Sequence, residues 1–129
     1  MSNDPRKELA ERITGSELEV MKLLWQAEHA LPLTALRENL QQRKGWEPAT
    51  IKTLVSRLVA KGAVRQEKRT VYYYSPLISE TEYNTWAAGD LIDRLFQGSA
   101  RNLVAALVQS DGLTREDIEE LRQMFRVEE

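Results

Sequence analysis

Residues 48–61, PATIKTLVSRLVAK, constrain the fold more than any other stretch, because both ends and one buried face of a helix are written into them. Pro48 sits at the first helical position, where a missing N–H costs nothing. Ile51, Leu54, Val55 and Leu58 fall at i, i+3, i+4 and i+7, a single apolar seam. Gly62 supplies the left-handed residue that closes a helix, and Lys61 before it suits the negative end of the helix dipole. The apolar period then changes. AVRQEKRTVYYYSP has β-favouring ends around a charged centre, with Val71 and Tyr73 alternating against Tyr72 and Tyr74. This predicts a hairpin whose tip carries Lys68 and Arg69, with Tyr72 and Tyr74 on the sheet surface.

Upstream, residues 1–13 read as a loose arm or frayed helix. SELE is a capping box with Ser16 as cap and Glu19 reaching back, and it opens a helix to about Glu28 through Leu18, Met21, Leu24 and Trp25. HALPLT breaks it, and Thr34 caps a second short helix with Leu36 and Leu40 inward. Three short helices followed by a hairpin is the order of a winged helix-turn-helix, in which the third helix enters the major groove. Trp46 reads as a wedge between helices, and Trp25 and Trp86 as core or interface.

Downstream, SETE is a second capping box, followed by a helix through Tyr83, Trp86, Ala87, Leu91, Leu95 and Phe96. Leu103, Val104, Leu107 and Val108 make a short apolar helix. Thr114 caps a last one, with Leu113 stapled to Ile118, and Leu121 and Phe125 on its stripe. The expected architecture is mainly α, with a winged-helix domain over residues 1–78 and a helical dimerisation domain over 79–129. The second part has more apolar faces than a piece so small can bury alone. Tyr83, Trp86, Leu91, Leu95, Leu103, Leu107, Ile118, Leu121 and Phe125 are therefore expected at a homodimer interface, the alternative being packing on the chain's own first domain.

The net charge of −2 argues at first against a nucleic-acid partner, but the charge is localised. Residues 44–69 carry +5, flanked by −1 before and −6 after. A basic island in an acidic chain is the footprint of a phosphate-binding surface, although a solvated helix and loop can cluster charge too. With the seam inward, Ala49, Thr50, Lys52, Thr53 and Ser56 lie on or beside the outer face of the 48–61 helix. All but Lys52 are short, so the axis can approach base edges, and an alanine methyl suits thymine methyls. Thr53 and Ser56 sit equally well on any wetted helix. Arg57 and Lys61 are placed for phosphates, the helix start at Pro48 offers N–H groups to another, and Lys68 and Arg69 for backbone or minor groove.

Other classes find little support. His29 is the only histidine and has no nucleophile partner in the pattern. There is no glycine-rich phosphate loop, so an enzyme is not expected, and neither a metal nor a cofactor is. With no cysteine, disulfides and thiolate sites are excluded. The charged amino terminus lacks a secretory pattern and no apolar run approaches the ~20 residues of a membrane span, so a cytoplasmic protein without membrane insertion is expected. The competing reading is a winged helix that contacts protein and not DNA.

GSELEVMKLLW, WEPATIKTLVSRLVAKGAV and RTVYYYSPLISETEY together resemble the amino-terminal domain of the penicillinase-repressor (BlaI/MecI/CopY) family of bacterial transcriptional regulators. The similarity is close over about residues 13–83 and looser beyond. It implies a repressor that binds double-stranded operator DNA of inverted symmetry as a homodimer, with residues 48–61 as recognition helix and Trp46-Glu47-Pro48 as its lead-in. Members of the copper-responsive type carry Cys-x-Cys motifs that this chain lacks. Members of the β-lactam-responsive type are released by a membrane sensor protease that leads to cutting at an Asn-Phe bond. Aligning NLVAALV with that region puts Ala106 and Leu107 there, so the scissile pair is not reproduced.

Overall fold

A computed structural model describes residues 5–126. Of the expected amino-terminal arm, residues 1–4 lie outside the described residues, helix α1 covers Pro5–Glu11, and residues 12–13 follow it outside the helix. It is followed by α2 (Gly15–Gln26), β1 (Leu31–Pro32), α3 (Leu33–Lys44), α4 (Pro48–Lys61), β2 (Val64–Lys68) and β3 (Tyr72–Pro76). Three further helices complete the order: α5 (Glu80–Phe96), α6 (Ala100–Gln109) and α7 (Arg115–Arg126).

α4 matches its expected bounds, and both mechanisms that set them are visible. Pro48 is at its start, and Gly62 takes φ 83°, where a side chain is strained. The Gly62 and Ala63 amides then bond to the carbonyls of Val59 and Leu58 at 3.0 Å each, the Schellman pattern. Ile51, Leu54, Val55 and Leu58 are all buried, joining Val20, Met21 and Leu24 of α2 and Leu36 and Leu40 of α3 in one core. Trp46 packs against that core from the lead-in, as a wedge.

The start of α2 differs from expectation. The capping box is Thr14 with Glu17, two residues before Ser16 and Glu19. The Glu17 amide donates to Thr14 Oγ1 at 3.2 Å, and the Thr14 amide donates to Glu17 Oε1 at 2.9 Å. TGSE and SELE both satisfy the motif. In the earlier one Glu17 turns inward, 1% exposed, and meets Lys61 there. Glu19 instead lies 3.4 Å from Lys22 and 3.5 Å from both Arg43 and Lys44, holding the end of α3 against α2.

Before α3, Leu31 and Pro32 pair with Tyr74 and Tyr73 as a short strand, which was not expected. Two residues are too short to show an alternating pattern. They keep the chain extended up to Pro32, so α3 begins at Leu33 without a side-chain cap and Thr34 lies inside its first turn. The sheet is antiparallel in the order β1-β3-β2. Its register sets Gln66 opposite Tyr74 and Lys68 opposite Tyr72. Tyr74 is thereby only 7% exposed, while Tyr72 is 45% exposed, which corrects the expectation that both lie on the sheet surface.

Two compact units emerge, one through Ala87 and one from Ala88. In the first, Ser79 and Glu82 form the expected capping box of α5. The following turns carry Tyr83 and Trp86 against the core, with the Tyr83 ring tilted against Trp25 at 5.7 Å and against Trp86 at 5.9 Å. Trp25 Nε1 donates to the Ile78 carbonyl at 2.8 Å, which ties the chain after the wing to α2. In the second unit, Ser99 caps α6 and Thr114 caps α7 with Asp117.

Candidate nucleic-acid interface

Because four residues of one α4 face are locked into the core, the opposite face is fixed in orientation without making contacts of its own. Pro48, Ala49, Thr50, Lys52, Thr53, Ser56 and Arg57 are all exposed. The helix carries no carboxylate from Pro48 to Lys61. Thr53 donates its hydroxyl proton back to the Ala49 carbonyl at 2.9 Å, so outward it offers a methyl group and oxygen lone pairs.

Lys61 occupies a different place from the one expected. Its Nζ donates to Glu17 Oε1 at 2.5 Å and to the Arg12 carbonyl at 2.7 Å. Glu17 is 1% exposed, and Lys61 is 23% exposed at its side chain. Burial pushes the Glu17 carboxyl up, but the hydrogen bond from Lys61, the Thr14 amide and the Lys61 charge outweigh it and hold the group below its ordinary value. Lys61 thus anchors the carboxyl end of α4 to α2 and is not directed at phosphates.

The wing shows a similar division. Arg69 lies 3.3 Å from Glu67 and 4.5 Å above the Tyr73 ring, so its charge is partly spent within the hairpin. Lys68 is exposed and makes no ion pair among the described residues. The basic island therefore sorts itself. Lys44, Lys61 and Arg69 hold carboxylates. Lys52, Arg57, Arg65 and Lys68 are exposed cations without carboxylate partners among the described residues.

Lys52 and Ser56 also form one wall of a groove of about 400 Å³ between the start of α3, α4 and the wing. Thr34 and Arg37 contribute from α3, and Gln66, Tyr72 and Tyr74 from the wing. The sequence pattern did not single out Thr34, Arg37 or Gln66 for this surface. Their only signal is distance in space, since Arg37 lies before the net-positive segment.

The sequence model of the penicillinase repressor family matches residues 13–126. The chain belongs to the penicillinase repressor family. Among curated members, the methicillin resistance regulatory protein MecI of Staphylococcus aureus is 31% identical over 114 residues, 88% of this chain and 92% of the relative. The penicillinase repressor of Bacillus licheniformis is 32% identical over 115 residues, 88% of this chain and 89% of the relative. The solution structure of the DNA-binding domain of the repressor BlaI superposes with TM-score 0.52 at 36% identity, covering 56% of this chain and 88% of that one. A structure of the Bacillus licheniformis BlaI monomeric form in complex with the blaP half-operator matches with TM-score 0.50 over the same shares. The winged-helix fold of this penicillinase repressor family member is thus shown.

In its second unit this family member keeps a large apolar surface. No residue of α5 or α6 is buried. Leu95, Leu107, Ile118 and Phe125 are exposed, Phe125 by 76%, while Leu91, Leu103 and Leu121 are partly covered. Val104 and Val108 of the short apolar helix α6, and Met124, are exposed as well. Ala106 and Leu107 lie inside α6, with the peptide between them in helical conformation.

Proposed function

We propose that this chain is a sequence-specific DNA-binding transcriptional repressor that reads an inverted-repeat operator as a homodimer. The observation that carries the reading is the outer face of α4, with short side chains, no carboxylate, and a rigid apolar seam behind it. Ala49, Thr50, Lys52 and Thr53 would meet base edges. Arg57, Lys68 and the helix start at Pro48 would meet phosphates, with Ser56 between the two classes. Kinship to a repressor seen with a half-operator supports the same assignment.

The dimer rests on the second unit, where Leu95, Val104, Leu107, Val108, Ile118, Met124 and Phe125 are all exposed. A twofold pair of chains would give two α4 helices one helical turn apart, matching two half-sites. Among the described residues no helix is long and apolar enough to cross a membrane. An operator-binding role places the chain in the cytoplasm. Release by proteolysis at Ala106–Leu107, set off by a membrane sensor protease, is part of the proposal although the Asn-Phe pair is absent there. A cut inside α6 would split the dimerising unit and leave two weak half-site readers.

Selection from a pool of random duplexes tests the main reading. Enrichment of an inverted repeat is expected. A pool that stays random would leave the winged helix as a protein-contact module.

A further inference from the structure

Arg37 is the one cation of the α3–α4–wing groove whose donor is both buried and unused. Its Nε is buried without a hydrogen-bond acceptor, and its guanidinium makes no hydrogen bond or ion pair among the described residues. A guanidinium N–H without an acceptor is unfavourable, and Arg37 itself lines the groove, so its charge is uncommitted at the place where an anion would enter. The other groove-lining polar groups point to what that is. Lys52 brings a second positive charge, Thr34, Ser56 and Tyr72 bring hydroxyls, and no carboxylate lines the groove. Two cations and several hydroxyl donors around one space suit an anion with several oxygens, and the planar fork of arginine matches phosphate geometry.

We propose that Arg37 grips one backbone phosphate of the operator in this groove, so that the start of α3 fixes how deeply α4 sits in the major groove. The assignment rests on the DNA-binding reading above. Lys52 and Ser56 face both the groove and the outer side of α4, so a phosphate held there lies beside the bases that α4 reads. Arg37 would act as a positioning contact without sequence information of its own.

The test uses the full-length chain and its selected inverted-repeat duplex, with binding read by fluorescence anisotropy over a salt series and by ethylation interference. Arg37→Gln should bind about tenfold more weakly or worse, the scale of a lost charged hydrogen bond. Its log–log salt slope should be shallower by about 0.9 per site, as for one phosphate no longer neutralised. Interference at one phosphate in each half-site should vanish while the rest of the pattern stays. Arg37→Lys should keep the slope and recover only part of the affinity. A neutral methylphosphonate at that same phosphate should weaken the wild-type chain by a similar factor and leave Arg37→Gln unaffected, a readout that a merely structural arginine would not move. Wild-type slope and interference in Arg37→Gln, or equal losses from the methylphosphonate in both proteins, would overturn the proposal. A wild-type chain that selects no duplex would instead sink the operator reading, and this assignment with it.

Discussion

Glu17 and Lys61 are 44 positions apart in sequence and form the most buried ion pair among the described residues. Removing one partner of such a pair costs more when the group left behind has no access to water. Lys61→Ala would strand a carboxylate that is 1% exposed, and is expected to cost about 3 kcal/mol in urea unfolding. Glu17→Gln leaves a lysine that can turn to solvent, and is expected to cost about 1 kcal/mol. The pair also has a pH signature. A carboxyl held below its ordinary value of 4.5 adds stability that is complete above that value and is lost as pH falls through the folded-state value. Urea midpoints of wild type should therefore drop more steeply below about pH 4.5 than those of Glu17→Gln. Equal slopes would contradict the assignment. Little of this is legible in the sequence, which puts Lys61 among the phosphate contacts, because charge counts do not show which cations already hold carboxylates. Arg69, drawn onto Glu67 and Tyr73, teaches the same point.

At the scale of elements, α4 was legible because its signals are local. Proline, an apolar seam and a glycine stop all act within a few residues, and no tertiary contact overrides them. The start of α2 was not, because two overlapping boxes compete and the outcome follows which glutamate turns into the core, Glu17 at 1% exposed. β1 was not, because a two-residue strand exists only through its pairing with Tyr73 and Tyr74. The mechanism of the α4 stop makes a clean prediction. A Cβ on Gly62 meets no atom within 4 Å, so Gly62→Ala suffers from its positive φ alone. It should lose about 1 kcal/mol, seen as a lower urea midpoint with an unchanged slope. Leu58→Ala, at a fully buried seam position, should lose about 3 kcal/mol and lower operator affinity through a loosened α4.

For the whole molecule, the order of the helices and the place of the wing were readable from the sequence, and the family match agrees with them. The role of the second unit was readable only as an excess of apolar faces. Tyr83 and Trp86, expected at the interface between copies, pack on the first unit's own core, while Leu95, Leu107 and Phe125 stay exposed. Leu107→Asp is therefore expected to give a folded monomer by sedimentation equilibrium. It should keep half-site affinity and lose about a hundredfold or more on the full inverted repeat, since the second half-site would no longer be an intramolecular event. A dimer that survives the change would place the interface elsewhere. Whether the outer face of α4 reads the operator is decided by anisotropy titration of the selected duplex with Thr50→Ala/Lys52→Ala/Thr53→Ala. With thermal unfolding unchanged, operator affinity should fall about a hundredfold or more while affinity for unrelated duplex falls far less. Operator affinity equal to that of the wild type would contradict that role.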